Sequence, residues 1–452
     1  MKKVIEIQRE FFNSNTTKSI DFRISQLKKF KKLLKENENA INNAIYKDFK
    51  KSSTENYTAE IGLIYHEINT SCKNLKKWGK RQKVKTNLLN MPAKSYIIPE
   101  PLGVTLIIGA WNYPYNILFV PMVAAISAGN TVVLKPSELS LNTSEVIAKI
   151  INENFEARFL KVVEGGIPET TELLNQKFDK IFFTGSSSVG KIVYQAAAKN
   201  LTPVTLELGG KSPAIFTEDC NLKIGVKRMI WAKFFNAGQT CIAPDYVLVH
   251  ESQKEKFLQL AVSEINKAHY SFENDNYVQI INSKNTQRLI DLIDPTKIYY
   301  GGNFDLETRY IEPTLLTNVT FDDIVMLEEI FGPILPIISY TNLEDMIAKI
   351  KSLPKPLALY LFTNNKFIKN KILNEISFGG GAINDAVMHF SNSNMPFGGV
   401  GNSGTGSYHG KYGFDEFSHF KSILDKPTFF ELPLKYSPYS TSKLNFIKKI
   451  FE

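Results

Sequence analysis

Val104-Thr105-Leu106-Ile107-Ile108 runs into Gly109-Ala110-Trp111-Asn112-Tyr113-Pro114, and an apolar stretch follows to Ala128. The first five residues are β-branched or leucine and read as a buried strand; the glycine and proline mark a turn; the rest predicts a helix through Val120 to Ala128. The pattern then repeats. Thr131-Val132-Val133-Leu134 reads as a strand ending in Lys135-Pro136-Ser137-Glu138, a helix is expected over about 142–154, and strands over about 160–163 and 180–184. A β-α-β-α-β series predicts a parallel sheet with helices on both faces, its ligands bound beyond the carboxyl ends of the strands. From about Gly209 to Thr405 a second α/β half is expected, with a strand over Asp245–Val249, a helix over Glu251–Tyr270 and a glycine-rich loop over Phe378–Asp385.

Outside these halves, residues from about Ile20 to Trp78 read as helices. Leu27, Phe30 and Leu34 share one stripe, Ile41, Ile45 and Phe49 a second, and Ile61, Tyr65, Ile68, Cys72 and Leu75 a third, which makes Cys72 a core residue. Ser95-Tyr96-Ile97-Ile98-Pro99 reads as exposed extended chain. At 452 residues, 43% hydrophobic and 22% charged, the chain has the composition of an ordinary globular protein with room for two or three domains. The net charge of +9 is spread among acidic residues with no basic arm, so nucleic acid is not an expected partner. Three cysteines give no disulfide framework and point to a reducing, cytoplasmic setting. The N-terminus lacks the apolar region of a signal peptide, and the apolar run over 117–128 is too short to span a membrane.

Three segments carry chemistry. The strand ending at Thr184 meets Gly185-Ser186-Ser187-Ser188-Val189-Gly190-Lys191-Ile192. A P-loop would need a hydroxyl where Ile192 stands, and the dinucleotide fingerprint would need glycine where Ser187 stands. What remains is a polar turn at a helix N-terminus, whose free N–H groups and dipole favour phosphate. Val204-Thr205-Leu206-Glu207-Leu208-Gly209-Gly210-Lys211 alternates, with Glu207 opposite the apolar face. Phe234-Phe235-Asn236-Ala237-Gly238-Gln239-Thr240-Cys241-Ile242-Ala243-Pro244 suits a loop that presents a thiol, whose free backbone N–H groups would lower the thiol pKa and hold an oxyanion. No clustered His/Cys set suggests a metal.

Asn236-Ala237-Gly238-Gln239-Thr240-Cys241 resembles the nucleophile motif of the aldehyde dehydrogenase superfamily. Further motifs follow in that family's order: Trp111-Asn112-Tyr113-Pro114, Glu207-Leu208-Gly209-Gly210-Lys211, Glu328-Glu329-Ile330-Phe331-Gly332-Pro333 and Met395-Pro396-Phe397-Gly398-Gly399. The continuation Tyr408-His409-Gly410-Lys411-Tyr412-Gly413-Phe414 is similar to the class 3 branch, of fatty and aromatic aldehyde dehydrogenases. The resemblance implies two Rossmann-like α/β domains, cofactor-binding and catalytic, plus a small β oligomerisation arm. Segments 1–82 and 102–208 would bind NAD(P), 209–405 would hold the nucleophile, 83–101 and 406–430 would bridge to a partner subunit, and 431–452 would form a tail.

It further implies NAD-dependent oxidation of aldehydes to acids, with NADP also accepted. Cys241 would be nucleophile, Glu207 general base and Asn112 oxyanion donor. Lys135 and Glu138 would face the adenine ribose, Glu329 would hold the nicotinamide ribose with Phe331 beside the ring, and Thr184, Gly185, Ser186, Gly190, Leu208 and Gly209 would also bind the cofactor. Tyr113, Trp231, Phe235, Phe397 and His409 would wall the substrate. A homodimer is the expected assembly. The short basic tail, with Phe446, Ile447 and Ile450 among Lys448 and Lys449, is expected to dock on its own or a partner subunit, with surface membrane contact left open. Two rivals stand beside this: a cofactor-independent cysteine hydrolase using His250, and an NTPase, which Ile192 disfavours.

Overall fold

The structure, a computed structural model, describes residues 1–452. Its first sheet has the strand order Gly404–Thr405, Val204–Glu207, Lys180–Thr184, Val104–Ile108, Thr131–Lys135, Leu160–Val162. All neighbours are parallel except the first pair, in which Gly404 faces Glu207 and Thr405 faces Leu206. Helices cover both faces, so Val104–Ile108 and Thr131–Lys135 are buried at every position. The helix Asn116–Ala128 is likewise buried all round, as its unbroken apolar sequence requires. Each of its large side chains, such as Leu118 and Phe119, contributes about 1.5–3 kcal/mol by leaving water.

The second sheet has the order Ile298–Tyr300, Thr314–Leu316, Ile334–Tyr340, Tyr246–His250, Pro213–Phe216, Ala358–Phe362, Gly380–Ile383. Only its first pair is antiparallel. Gly380–Ile383 corrects the glycine-rich loop expected there. It pairs in parallel with Ala358–Leu361, and a Cβ on Gly381 would stand 2.1 Å from the Leu359 carbonyl oxygen, so glycine is what admits the close neighbouring strand.

The helical layer follows the expected stripes. Ser19 caps the helix Ile20–Glu36 by accepting from the Phe22 amide at 3.3 Å, and Leu27, Phe30 and Leu34 are fully buried. Cys72 packs partly buried against the same core. An additional N-terminal helix, Lys2–Asn13, buries Ile5 and Gln8 and packs Val4 and Phe11 partly buried beside them; its apolar residues recur at helical spacing, although helices were expected only from about Ile20.

The exposed strand predicted around Ile97 is longer, Lys94–Pro101, and lies between Gln82–Val84 and Ser418–Asp425 in an antiparallel three-stranded sheet. The tail ends in the helix Thr441–Phe451, none of whose residues is fully buried, with Lys443, Ile447 and Ile450 half-buried. No helix is long and apolar enough to cross a membrane.

Candidate active site

The Cys241 loop leaves the helix Leu222–Phe234 through a turn with unusual backbone. Asn236 (φ 54°, ψ 30°) and Ala237 (φ 49°, ψ 35°) are both left-handed without being glycine, a conformation found where surrounding contacts over-determine it. Those contacts are present. The Asn236 amide donates to Glu55 Oε1 at 3.1 Å, and Asn236 Nδ2 donates to the carbonyls of Asn112 and Gln239, both at 3.1 Å. The Gln239 side chain donates to the Asn236 and Gln279 carbonyls and accepts from the Ile281 amide. Gly238 is required: a Cβ there would stand 2.3 Å from the Gly332 carbonyl oxygen.

This loop presents the Cys241 thiol, half-buried, to a cavity of about 250 Å³. Burial raises the thiol pKa well above its ordinary value, and the carboxylates of Glu329 and Glu207 raise it further. The amides of Cys241 and Ile242 pull the other way, as the loop geometry suggests, but do not prevail. The expectation of a lowered thiol pKa is therefore corrected: in this cavity burial and the neighbouring acids shift it upward.

Glu207 closes the strand Val204–Glu207 and faces the same cavity. It is 3% exposed, which excludes a solvent-facing role. Neither carboxylate oxygen has a hydrogen-bond partner, and burial, with Glu416 nearby, raises its pKa well above the carboxylate range. An unpartnered buried carboxyl is costly to keep and marks a group reserved for a ligand or water. Thr184 Oγ1, on the cavity wall, is also buried without a partner.

The remaining wall is largely apolar. Tyr113, Trp231, Phe235 and Phe397 line it as expected. His409 does not: its ring stacks on the far side of Phe397 at 5.4 Å, buried behind the wall, because the bulky ring fills the gap between Phe397 and Phe390. Ala59, Leu63, Ile117, Val387, Met388 and Tyr408 also line the cavity and were not singled out by sequence. Leu63 and Ile117 sit in helical stretches whose composition does not distinguish a cavity wall from a core. Asn112 stands beside this wall rather than in it. Its Nδ2 donates to the Gln239 carbonyl at 3.0 Å, two residues before the cysteine.

Residues expected at the cofactor form a run along the carboxyl ends of the first sheet. Lys135, buried, ends one strand and reaches the exposed Glu138. Ser186 caps the helix Ser187–Ala198, with its hydroxyl accepting from the Val189 amide at 3.4 Å. Gly190 and Leu208 meet each other: a Cβ on Gly190 would come within 2.7 Å of Leu208 Cδ2, so this pair sets the close packing of helix on strand. Gly209 leaves space that the Glu329 carboxyl occupies, and Phe331 (φ 51°) turns its ring edge-on to Trp111 at 5.3 Å. The donor set fits a dinucleotide: an exposed helix N-terminus whose first amides, at Ser187 and Ser188, lie outside the Ser186 cap, a cation and an acid at one strand end, and orphaned Thr184 and Glu207 at the other end of the run. His250 does not line the cavity; it bonds Ser252 instead at 2.8 Å.

A half-buried thiol and an unpartnered carboxyl thus meet on one apolar cavity beside a strand edge whose donors suit a dinucleotide. The aldehyde dehydrogenase family model matches residues 1–423, and the chain belongs to that family. It is 49% identical to a 4,4'-diaponeurosporen-aldehyde dehydrogenase of Staphylococcus aureus, over 98% of this chain and 97% of that protein. It is 45% identical to aldehyde dehydrogenase family 3 member A2 of Rattus norvegicus, over 99% of this chain and 93% of that one. A substrate-bound structure of Staphylococcus aureus AldH superposes with a TM-score of 0.98 at 47% identity, covering 100% of this chain and 99% of that one. The protein is thus an oxidoreductase of aldehydes using NAD(P), of the class 3 kind, with the two-domain α/β fold of the family. A cofactor-independent hydrolase finds no support.

Proposed function

We propose that Cys241 attacks the aldehyde carbon, that the Asn112 side-chain amide and the Cys241 backbone N–H take the oxyanion, and that Glu207 activates the water that releases the acid. The observation that carries this is the meeting of Cys241 and the unpartnered Glu207 carboxyl on one apolar cavity. Attack requires the thiol to lose its proton to solvent, which leaves Glu207 free for the later hydrolytic step. The sulfur then bonds the carbonyl carbon to form a thiohemiacetal, whose oxyanion needs fixed donors in a water-poor site. NAD(P)⁺ held along the carboxyl ends of the first sheet would supply the acceptor for the hydride that leaves this carbon. The resulting thioester is hydrolysed when Glu207 takes a proton from water, the carbon–sulfur bond breaks, and the thiol is restored.

The aromatic and aliphatic wall supports medium- to long-chain aliphatic or aromatic aldehydes as substrates. The aldehyde in the relative's name, 4,4'-diaponeurosporen-aldehyde, is a candidate to assay beside them. NADH formation against aldehydes of rising chain length and aromaticity tests the reading. Cys241→Ala should abolish it while cofactor binding persists, and activity retained in that variant would refute the nucleophile.

In the proposed division of the chain, segments 1–82 and 102–208 hold the cofactor, 209–405 the nucleophile, and 83–101 with 406–430 the arm to a partner subunit; the sheets support it except at Gly404–Thr405, which pairs into the first sheet, and Gln82, which pairs into the arm. A homodimer is supported by the open edge of Ser418–Asp425. The unburied helix Thr441–Phe451, with Leu444, Phe446 and Phe451 exposed beside Lys448 and Lys449, supports contact with that partner or a membrane surface. Three free cysteines support a reducing, cytoplasmic setting.

A further inference from the structure

Behind the Cys241 loop lies a polar cluster that the chemistry above does not use. Lys51 and Glu60 are both wholly buried, with Nζ 3.0 Å from Oε1. A buried ion pair adds little stability over a well-packed apolar pair, because both charges give up water. Its other contacts supply a different reason for it. Lys51 Nζ also donates to the Asn112 backbone carbonyl at 3.3 Å and lies over the Tyr113 ring, 4.5 Å from its centre. Glu60 Oε2 accepts from the amides of Tyr115 at 2.8 Å and Asn116 at 3.2 Å. These are free N–H groups at the start of the helix Asn116–Ala128, where a carboxylate is favoured. The pair therefore holds the segment 112–116 at both ends. Glu60 itself sits in a π-helical turn, Tyr57–Ile61, a local irregularity common near functional sites.

The same segment is stitched to the nucleophile loop from the opposite side. Asn236 Nδ2 reaches the Asn112 carbonyl that Lys51 also grips, Asn112 Nδ2 reaches the Gln239 carbonyl, and the Tyr113 hydroxyl meets Thr240 Oγ1 at 2.6 Å. Two donors thus converge on one backbone carbonyl, which fixes the Cα from which the Asn112 amide departs. We infer that Lys51 and Glu60 are positioning residues for the oxyanion site: they clamp the Asn112 segment against the Cys241 loop, so that the Asn112 amide and the Cys241 amide converge on one oxygen. This rests on the reading of Asn112 as oxyanion donor given above. Such donors act only when about 2.7–3.1 Å from the oxyanion, and a displacement of about 1 Å costs about 10²-fold in rate.

The test is a cycle between Lys51→Met/Glu60→Gln and Asn112→Ala in the full-length enzyme. The first variant removes both charges of the pair together, and its side-chain carbonyl at position 60 can still accept a helix N–H; Glu55, whose carboxyl the Lys51 ammonium favours in its ionised form, remains beside it. Its kcat is expected to fall about 10- to 10²-fold with the aldehyde KM little changed, since the lost interaction belongs to the transition state. Combined with Asn112→Ala it is expected to cost nothing beyond Asn112→Ala alone. Cofactor titration by tryptophan fluorescence and the Tm establish that each variant is folded. Wild-type kcat in the charge-free variant, or losses that multiply in the combined one, overturns the inference. If Asn112→Ala keeps full kcat, the oxyanion reading itself fails and the positioning role falls with it. Glu60→Gln alone serves the same cycle if the paired variant does not fold, and wild-type kcat there is equally fatal.

Discussion

Lys135 Nζ lies 3.5 Å from Glu138 Oε2, with the ammonium buried and the carboxylate 47% exposed. Burial lowers the lysine pKa, and Glu138 works against that shift. If this pair faces the adenine ribose, the carboxylate repels a 2′-phosphate and the lysine attracts it. Glu138→Gln is expected to raise the ratio of NADP to NAD efficiency about three- to tenfold, a modest effect because solvent screens the exposed acid. An unchanged ratio of kcat/KM values would place Glu138 away from the ribose.

A methyl group on Gly209 would stand 1.9 Å from Glu329 Oε2. The clash is with the end of a side chain, so Gly209→Ala should fold and relieve it by moving the Glu329 carboxyl. If Glu329 holds the cofactor, the NAD(P) Kd should rise about tenfold, near the loss of one charge-assisted hydrogen bond. Isothermal titration decides it: a wild-type Kd would free Glu329 from that role.

Burial, reinforced by Asp245, pushes the Glu329 pKa from the usual 4.5 up to about 8. Between those values the folded chain holds a proton that the unfolded chain has released, so this group's contribution is full below about pH 4.5 and is lost as pH rises through about 8. Glu329→Gln should therefore flatten the decline of Tm over that range. Parallel wild-type and variant Tm profiles would show that the carboxyl titrates normally.

Ser418–Asp425 pairs along its full length with Lys94–Pro101 and leaves its other edge open, with Phe420 and Leu424 exposed on it. Unpaired edges of this kind need cover. Sedimentation should show a dimer at micromolar concentration, and Phe420→Glu/Leu424→Glu should yield monomer. A wild-type monomer would remove the arm's proposed role.

What sequence made legible here was what periodicity and motif order encode. The buried strands Val104–Ile108 and Lys180–Thr184 announce themselves by apolar runs, and Cys241 and Glu207 by their surroundings. Alternation alone put Glu207 on the polar face of its strand, which reads as solvent; only the helices and Cys241 loop packed over that face make it a cavity wall. The resemblance put His409 on the substrate wall, yet adjacent residues of the chain diverge: Tyr408 lines the cavity while His409 stacks on Phe397 away from it. The Lys51–Glu60 pair left no local trace, because its partners lie up to 61 residues away. The raised thiol pKa was also beyond reach, since burial and the convergence of Glu329 and Glu207 on Cys241 are tertiary.

The division of labour between Cys241 and Glu207 can be separated in time. If Glu207 serves chiefly thioester hydrolysis, Glu207→Gln should slow deacylation far more than acylation, by about 10²–10⁴-fold, the usual worth of general-base help. Such an enzyme would release one equivalent of NADH per active site and then nearly stop. The thioester would remain on Cys241, visible by intact mass, while Cys241→Ala would give neither burst nor adduct yet still bind cofactor. Because burial and two acids raise the thiol pKa, the burst rate should also rise with pH as the thiolate fraction grows. A Glu207→Gln enzyme without a burst would mean that this carboxyl also takes the thiol proton, and raising the pH should then restore the burst. Full steady-state turnover by that variant at neutral pH would remove Glu207 from the reaction.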